Sequence, residues 1–373
     1  MSMIPYGRQT ITKEDERAVQ GVLRSPWLTQ GPKIARFEER LAKECGARFA
    51  VVVSSGTAAL HLTYLALGIG KGDEVITTPN TFVATTNMLL LVGAKPVFVD
   101  IRRDTYNIDE RMIEQAVMSR TKAIVPVHFA GHPSDLQTVL NIAKKHRLAV
   151  VEDACHALGA SYKGKPIGSH SDAVIFSFHP VKSITTGEGG VIVTNRKDIC
   201  EKAKLLRSHG IVKDANGFNM MQELGYNYRM TDLQASLGIS QLKRLPLFIQ
   251  KRRRSVFWYR ELLAPETNVV LPVELQDSES SWHLFVLRVV HPKDRLPLYV
   301  YLQKAGIGVN FHYPPVYSHS YYRQHGFKSI TLPETERYAK TALTLPLYPD
   351  LKKKEIMFIC AKIRDYFGHH ANR

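Results

Sequence analysis

The chain has 373 residues, 44% hydrophobic and 23% charged, with 24 Gly and 19 Pro, which excludes a collagen, a disordered chain and a mini-protein. Fifty Lys and Arg against 34 Asp and Glu give a net charge of +16. That surplus suits either an anionic partner or a plain solvated surface. With no zinc-finger spacing, RNP-like aromatic motif or basic tail, it does not indicate nucleic acid.

No apolar run reaches the roughly 18 residues that span a bilayer. The opening stretch MSMIPYGRQTITKEDE lacks the apolar core of a signal peptide, so neither secretion nor a membrane is expected. The four cysteines, Cys45, Cys155, Cys200 and Cys360, are scattered without a C-x-x-C pair. They point away from disulfides and structural zinc and toward a reducing cytoplasm.

In chain order, strand and helix alternate from residue 46 to residue 200. Ala50–Val53 is a β-branched run, followed by Ser54-Ser55-Gly56-Thr57 and a helical stretch holding Ala58, Leu60, Leu62 and Leu65. Glu74–Thr77 is the next strand, a helix passes through Met88–Leu91, and Pro96–Asp100 is a third strand. Ala123–Val127 and Ala149–Asp153 bracket a helix around Leu136–Lys145; Ala173–Phe178 and Gly190–Thr194 close the series. Short strands apolar on both faces, alternating with helices, predict a largely parallel sheet covered on both sides. After residue 230 the pattern shifts to helices at Asp232–Leu242 and Leu247–Leu263, a strand at Trp282–Val290 alternating as if half exposed, and a last helix at Lys352–Phe367. The basic run Lys251-Arg252-Arg253-Arg254 reads in part as the wet face of its helix. The fold class is α/β, with a large domain over residues 1–245 and a smaller α+β domain over residues 246–373.

Ligands of such sheets bind beyond the carboxyl ends of the strands, where three polar clusters fall. Ser55-Gly56-Thr57, between strand and helix, is either a phosphate cradle at a helix start or an ordinary capped turn. Glu152 and Asp153 end an apolar strand, with Cys155 and His156 beyond. A carboxylate there pairs with a cation, binds a metal, acts as a base or caps a loop. Ser177, His179 and Lys182 follow another strand, before Gly187-Glu188-Gly189-Gly190. A lysine at that mouth is a nucleophile if desolvated and an ordinary surface lysine if not. Together the clusters supply what pyridoxal phosphate needs: phosphate anchor, pyridinium partner and Schiff-base amine. Gly68-Ile69-Gly70-Lys71-Gly72 follows a helix and lacks dinucleotide spacing. The 15 histidines show no H-E-x-x-H, so no metal is expected.

The chain resembles the pyridoxal-phosphate-dependent nucleotide-sugar aminotransferases of the DegT/DnrJ/EryC1/StrS family. The markers are Trp27-Leu28-Thr29-Gln30-Gly31-Pro32, Ser55-Gly56-Thr57-Ala58-Ala59-Leu60, Thr81-Phe82-Val83-Ala84-Thr85, Glu152-Asp153-Ala154-Cys155-His156-Ala157, Phe176–Lys182, Gly225–Met230 and Val309–Val316, in the family's order. The resemblance implies the aspartate-aminotransferase fold, with Lys182 as Schiff-base lysine and proton shuttle. It makes Asp153 the partner of the pyridine nitrogen, Phe82 the cover of one ring face, and Gly56, Thr57 and Ser177, with Ser55 beside them, the phosphate anchors. His156 would stand beside the ring. Asn227 would reach the cofactor phosphate of a neighbouring subunit, which implies a homodimer with shared active sites. Tyr6, Pro26, Trp27, Leu28, Thr29, His312, Tyr313, Pro314, Pro315 and Val316 fall where the family contacts its nucleotide-sugar, with Ser55, Ser177 and Asn227 also on that side.

The implied reaction has two halves. L-glutamate gives its amino group and leaves as 2-oxoglutarate, and the resulting pyridoxamine phosphate form aminates a nucleotide-linked 4-keto-6-deoxy sugar. Within the family the likeness is to the pseudaminic acid branch, whose product is UDP-4-amino-4,6-dideoxy-N-acetyl-β-L-altrosamine. Tyr6, Pro26–Gln30, Ile184–Gly190 and Arg207-Ser208-His209-Gly210 support it. Perosamine-type and 4-amino-arabinose-type aminotransferases keep the chemistry and change the sugar. A sugar 3-dehydratase would carry histidine in place of Lys182, and a non-catalytic sensor would not need Lys182 and Asp153 intact.

Overall fold

A computed structural model describes residues 3–370; positions 1–2 and 371–373, the outer limits of the two expected domains, lie outside it. Seven strands form the central sheet: β1 (Phe49–Val53), β2 (Glu74–Thr77), β3 (Lys95–Phe98), β4 (Thr121–Val125), β5 (Ala149–Asp153), β6 (Ala173–Ser177) and β7 (Gly190–Thr194). Their order is β1-β7-β6-β5-β4-β2-β3. All neighbours are parallel except those of β7, which runs antiparallel to β1 and β6. No helix lies between β6 and β7, so the chain returns without the crossover that a parallel pairing requires. The reversal sets Gly190 opposite both Val53 and Ser177, at the edge where the parallel strands end.

Side chains alternate across each strand, and here both faces are buried. In β1, Ala50 and Val52 join a core with Phe37, Leu41, Ala235 and Phe248, whereas Val51 and Val53 join one with Leu60, Leu62, Leu89 and Leu206. Helices Pro32–Glu44 and Asp232–Leu242 thus cover one face, and Gly56–Ala66, Ala84–Leu91 and Lys197–Arg207 the other.

A second core surrounds the antiparallel strands β8 (Val269–Val270), β9 (Phe285–Val289) and β10 (Ala342–Leu345). Helix Leu245–Leu263 belongs to both cores: Leu245 and Phe248 pack in the first, Val256, Tyr259 and Leu263 in the second. Ile4 also packs in the second core, its N–H donating to Gly306 O at 2.9 Å. Strand β9 departs from its half-exposed reading, because all five residues are buried. Phe285, Leu287 and Val289 face the Tyr259 side, while Val286 packs with Phe129 and Tyr338 of a separate cluster. The basic run divides as its reading in part as a wet face allows: Arg254 is exposed, whereas Arg252 is 1% exposed inside the protein. Among the described residues no helix is long and apolar enough to cross a membrane.

Gly238 shows how tightly the first layer is packed. A Cβ built there would stand 2.4 Å from Phe37 Cζ, and Phe37 is fully buried. Alanine normally gains up to about 1 kcal/mol over glycine inside a helix, but overpacking a closed core costs about 1–3 kcal/mol. The clash therefore sets the sign. Gly238→Ala should lower the urea midpoint of unfolding, and an unchanged or raised midpoint would show that Phe37 has room to move.

Candidate active site

The carboxyl ends of the parallel strands open into a cleft of about 470 Å³. Ser55 follows β1, Thr81 and Phe82 follow β2, Val127 follows β4, Asp153 ends β5 and Ser177 ends β6; all line the cleft. Alternation along β5 separates the two adjacent carboxylates. Asp153 faces the cleft, whereas Glu152 is fully buried and its Oε2 lies 2.7 Å from His128 Nε2.

Asp153 is held by two donors. Thr85 Oγ1 donates to Oδ2 at 2.6 Å, and the Cys155 N–H donates to Oδ1 at 3.2 Å. Thr85 has one proton to give and spends it there, so the Thr81 hydroxyl, 2.8 Å away, donates to Thr85. Each carboxylate oxygen keeps acceptor capacity beyond these bonds.

The phosphate-cradle geometry is built by a helix start and a glycine crossing. Helix Gly56–Ala66 begins with Ser55 as N-cap, its Oγ accepting from Ala58 N at 3.1 Å. The first N–H groups of a helix have no partner inside it, and Gly56 and Thr57 occupy those positions on the cleft wall. A Cβ on Gly56 would meet Ser177 Cβ at 3.1 Å and Cys155 Sγ at 3.2 Å, and one on Gly190 would meet Ser55 O at 2.4 Å. Glycine at both places lets β1, β6 and β7 close around the cradle.

Lys182 stands on the loop between β6 and β7. Its N–H donates to His179 O at 2.9 Å, while the Phe178 carbonyl takes both Thr185 Oγ1 and the Thr186 N–H, each at 3.0 Å, folding the loop back on the sheet. Burial pulls the Lys182 ammonium below the ordinary lysine value, against the opposing effect of Cys155 and Asp153. Burial likewise raises the Cys155 thiol well above its usual value, so it stays protonated.

Three histidines surround that lysine. Burial, with Lys182 and His312 adding repulsion, holds His156 well below its usual value; burial and Lys182 do the same to His283, and bring His312 to about 4. All three are neutral near pH 7. The Tyr313 hydroxyl lies 3.2 Å from His156 Nε2, and Thr344 Oγ1 lies 2.9 Å from His312 Nδ1.

Of the residues singled out in the sequence, Tyr6, Ser55, Gly56, Thr57, Phe82, Asp153, His156, Ser177, Lys182, His312 and Tyr313 line this one cleft. Others stand apart from it. Pro26, Trp27, Leu28 and Thr29 form an exposed stretch, Asn227 bridges Ser208, and Pro314 is exposed. Pro315 is buried, and fully buried Val316 packs with Tyr317, Tyr322 and Phe327, its N–H on Pro79 O at 3.1 Å. From there the Val316 side chain supports the loop leading to Phe82 and offers no surface to a substrate. Thr85 and His283 are among the cleft residues to which no sequence motif gives a role. Thr85 lay inside a quoted motif, but its bond to Asp153 spans 68 positions. His283 belongs, on its sequence, only to a strand pattern.

The cleft fits pyridoxal phosphate. It has a helix-start cradle too narrow for a Cβ, a carboxylate with free acceptor capacity, and a lysine amine depressed by burial. Comparisons agree over nearly the whole length. The spore coat polysaccharide biosynthesis protein SpsC of Bacillus subtilis is 41% identical, covering 97% of this chain and 96% of its own. Helicobacter pylori PseC, an aminotransferase involved in the biosynthesis of pseudaminic acid, superposes with a TM-score of 0.96 at 36% identity, over 99% of this chain and 100% of its own. The putative sugar aminotransferase Spr1654 of Streptococcus pneumoniae, solved with pyridoxal phosphate and with pyridoxamine phosphate, gives TM-scores of 0.93 and 0.94 at 33% identity. Its pyridoxal form covers 98% of both chains. Residues 9–364 match the DegT/DnrJ/EryC1/StrS aminotransferase family, and the chain belongs to that family as a pyridoxal-phosphate-dependent sugar aminotransferase.

Proposed function

We propose that the enzyme moves an amino group from L-glutamate to C4 of a UDP-linked 4-keto-6-deoxy-N-acetylhexosamine, in the cytoplasm. The observation that carries the residue roles is the convergence of Lys182, Asp153 and the Gly56–Thr57 helix start on one cleft. Likeness to PseC over the full chain supports the sugar, and a net charge of +16 suits a diphosphate substrate. Four free cysteines suit a reducing compartment.

Bound pyridoxal phosphate supplies the electron sink that stabilises charge developing at the donor's α-carbon. The protein's own groups do the rest. The Gly56 and Thr57 N–H groups and the Ser177 hydroxyl would hold the phosphate, with Phe82 as the aromatic cover of the ring. Asp153, fixed by Thr85 and the Cys155 N–H, would accept from the ring nitrogen and favour its protonated form. Lys182 Nζ would anchor the cofactor, carry the donor's α-proton to it in the first half, and deliver a proton to C4 of the sugar in the second. An amine depressed by burial reaches its basic form more readily at neutral pH than an exposed lysine does. Keeping the three imidazoles neutral adds no further positive charge beside Lys182.

The active assembly is a homodimer with shared sites. Asn227 lies outside its own chain's cleft, and apolar side chains stand uncovered in the segment that leads to it: Phe218 is 68% exposed, Met221 68% and Leu224 75%. A second copy would cover them and bring Asn227 to the neighbouring phosphate.

Turnover should be assayed with L-glutamate and separate UDP- and GDP-linked 4-keto-6-deoxy sugars. Stoichiometric 2-oxoglutarate with a UDP-linked N-acetyl sugar is expected. Faster turnover of a GDP-linked sugar would replace the substrate, and bound cofactor with no turnover of any sugar would replace the activity with sensing. Lys182→Ala should abolish cofactor attachment trapped by borohydride and lower kcat at least about a thousandfold; a variant with normal rate refutes the role of Lys182.

Shared sites predict subunit complementation. Mixing Lys182→Ala with Asn227→Ala subunits should restore about a quarter of wild-type activity, because half the dimers then hold one intact site of two. Failure to recover any activity after verified exchange would place Asn227 in its own chain's site.

A further inference from the structure

Arg252 is not used by the reaction above. It is 1% exposed, and burial draws its guanidinium down to about 10, no carboxylate among the described residues opposing the shift. A buried cation without an ionic partner is costly and persists where its hydrogen bonds do essential work. Its Nη1 donates to the carbonyls of Trp282 at 3.3 Å, His283 at 3.2 Å and Leu347 at 3.0 Å. The Leu347 N–H in turn donates to Tyr6 O at 3.0 Å, so one side chain ties together two segments that reach the cleft.

Residues 281–283 are fixed from the opposite side as well. The Ser281 N–H donates to Gly131 O at 3.0 Å and the His283 N–H to Ala130 O at 2.9 Å. A Cβ on Gly131 would stand 2.9 Å from His283 N, so the approach needs glycine. Between Ser281 and His283, Trp282 has a φ of 51°, a left-handed conformation that a tryptophan keeps only when its surroundings over-determine it. The segment so held grips His156 twice. Ser281 Oγ donates to His156 O at 2.8 Å, and the His283 ring lies 4.4 Å from the His156 ring. Both rings line the cleft, and each has a buried Nδ1 without a partner.

We infer that Arg252 and His283 are positioning residues for the cofactor site: the guanidinium fixes segment 281–283, and the His283 ring sets the angle at which His156 meets the bound cofactor. The inference rests on pyridoxal phosphate occupying the cleft. His156 is also faced by Lys182, His312, Phe129 and Tyr313, but the His283 ring, tilted at 42° to it, lies nearer than the rings of Phe129 and Tyr313, each at 6.1 Å.

The test measures cofactor dissociation constant, the pH midpoint of the bound cofactor's absorbance, and the urea midpoint, on full-length protein. Variants are His283→Ala, Arg252→Met, Arg252→Lys, His156→Ala and the His156→Ala/His283→Ala pair. His283→Ala and Arg252→Met should weaken cofactor binding roughly tenfold, a typical loss for a displaced contact at a site, and shift the pH midpoint. Arg252→Lys, which keeps a buried donor, should restore the midpoint. The paired variant should bind no more weakly than His156→Ala alone, because His283 acts through His156. A lowered urea midpoint with unmoved dissociation constant and pH midpoint overturns the inference in favour of a purely structural role. Additive losses in the paired variant overturn the relay through His156. If Arg252→Met fails to fold, His283→Ala and Arg252→Lys still decide. Wild-type protein that bound no cofactor would undo the cofactor site itself, a result distinct from either.

Discussion

The hydrogen bond from Thr85 Oγ1 to Asp153 Oδ2, at 2.6 Å, is the interaction on which the site depends. It joins the end of strand β5 to the helix that follows β2, and fixes a buried carboxylate so that it opens toward the cleft. Thr81 backs Thr85 in turn. A hydrogen bond to a charged acceptor is stronger than a neutral one, and the low-dielectric surroundings magnify it. The opposite wall carries Lys182, whose charge burial disfavours. The sheet thus keeps an acid and an amine facing one cavity, and the neutral histidines around Lys182 avoid adding competing charge.

That arrangement follows from topology. Parallel strands deliver their carboxyl ends to one edge, where loops rather than helices meet the ligand. The reversed β7 adds its own first residue to that edge, so Gly190 can pass over Ser55 and Gly56. Without glycine at 56 and 190 the cradle would be filled by protein atoms. The second core then closes the cleft from the other side: Tyr6, His283, His312 and Tyr313 all come from segments outside the central sheet and its flanking helices.

Much of this is legible in the sequence, because the signals are local. Short, largely apolar runs mark β1, β5, β6 and β7 within a residue or two, with Ser55-Gly56-Thr57, Asp153 and Lys182 each at or just past a strand end. The rest depends on partners far away in the chain. Nothing local singles out Arg252 as the buried member of its basic run, since the carbonyls that hold it lie 30, 31 and 95 positions away. Strand β9 alternates in a way that suggests exposure, but its second face meets Phe129 and Tyr338. His283 shows no motif at all, and only the strained turn at Trp282 brings it against His156. Ile4, at the opposite end of the chain, docks on Gly306 and Gly308, a contact that no local pattern announces.

The most direct test of the account is the protonation state of the cofactor's ring nitrogen. The enzyme would be loaded with pyridoxal phosphate labelled with ¹⁵N in the ring, and the nitrogen shift measured at neutral pH in wild type and in Asp153→Asn. A protonated nitrogen in the wild type and an unprotonated one in the variant is the predicted result. An unprotonated nitrogen in the wild type, or one that stays protonated when the carboxylate is removed, would contradict the role given to Asp153 and with it the reading of the cleft.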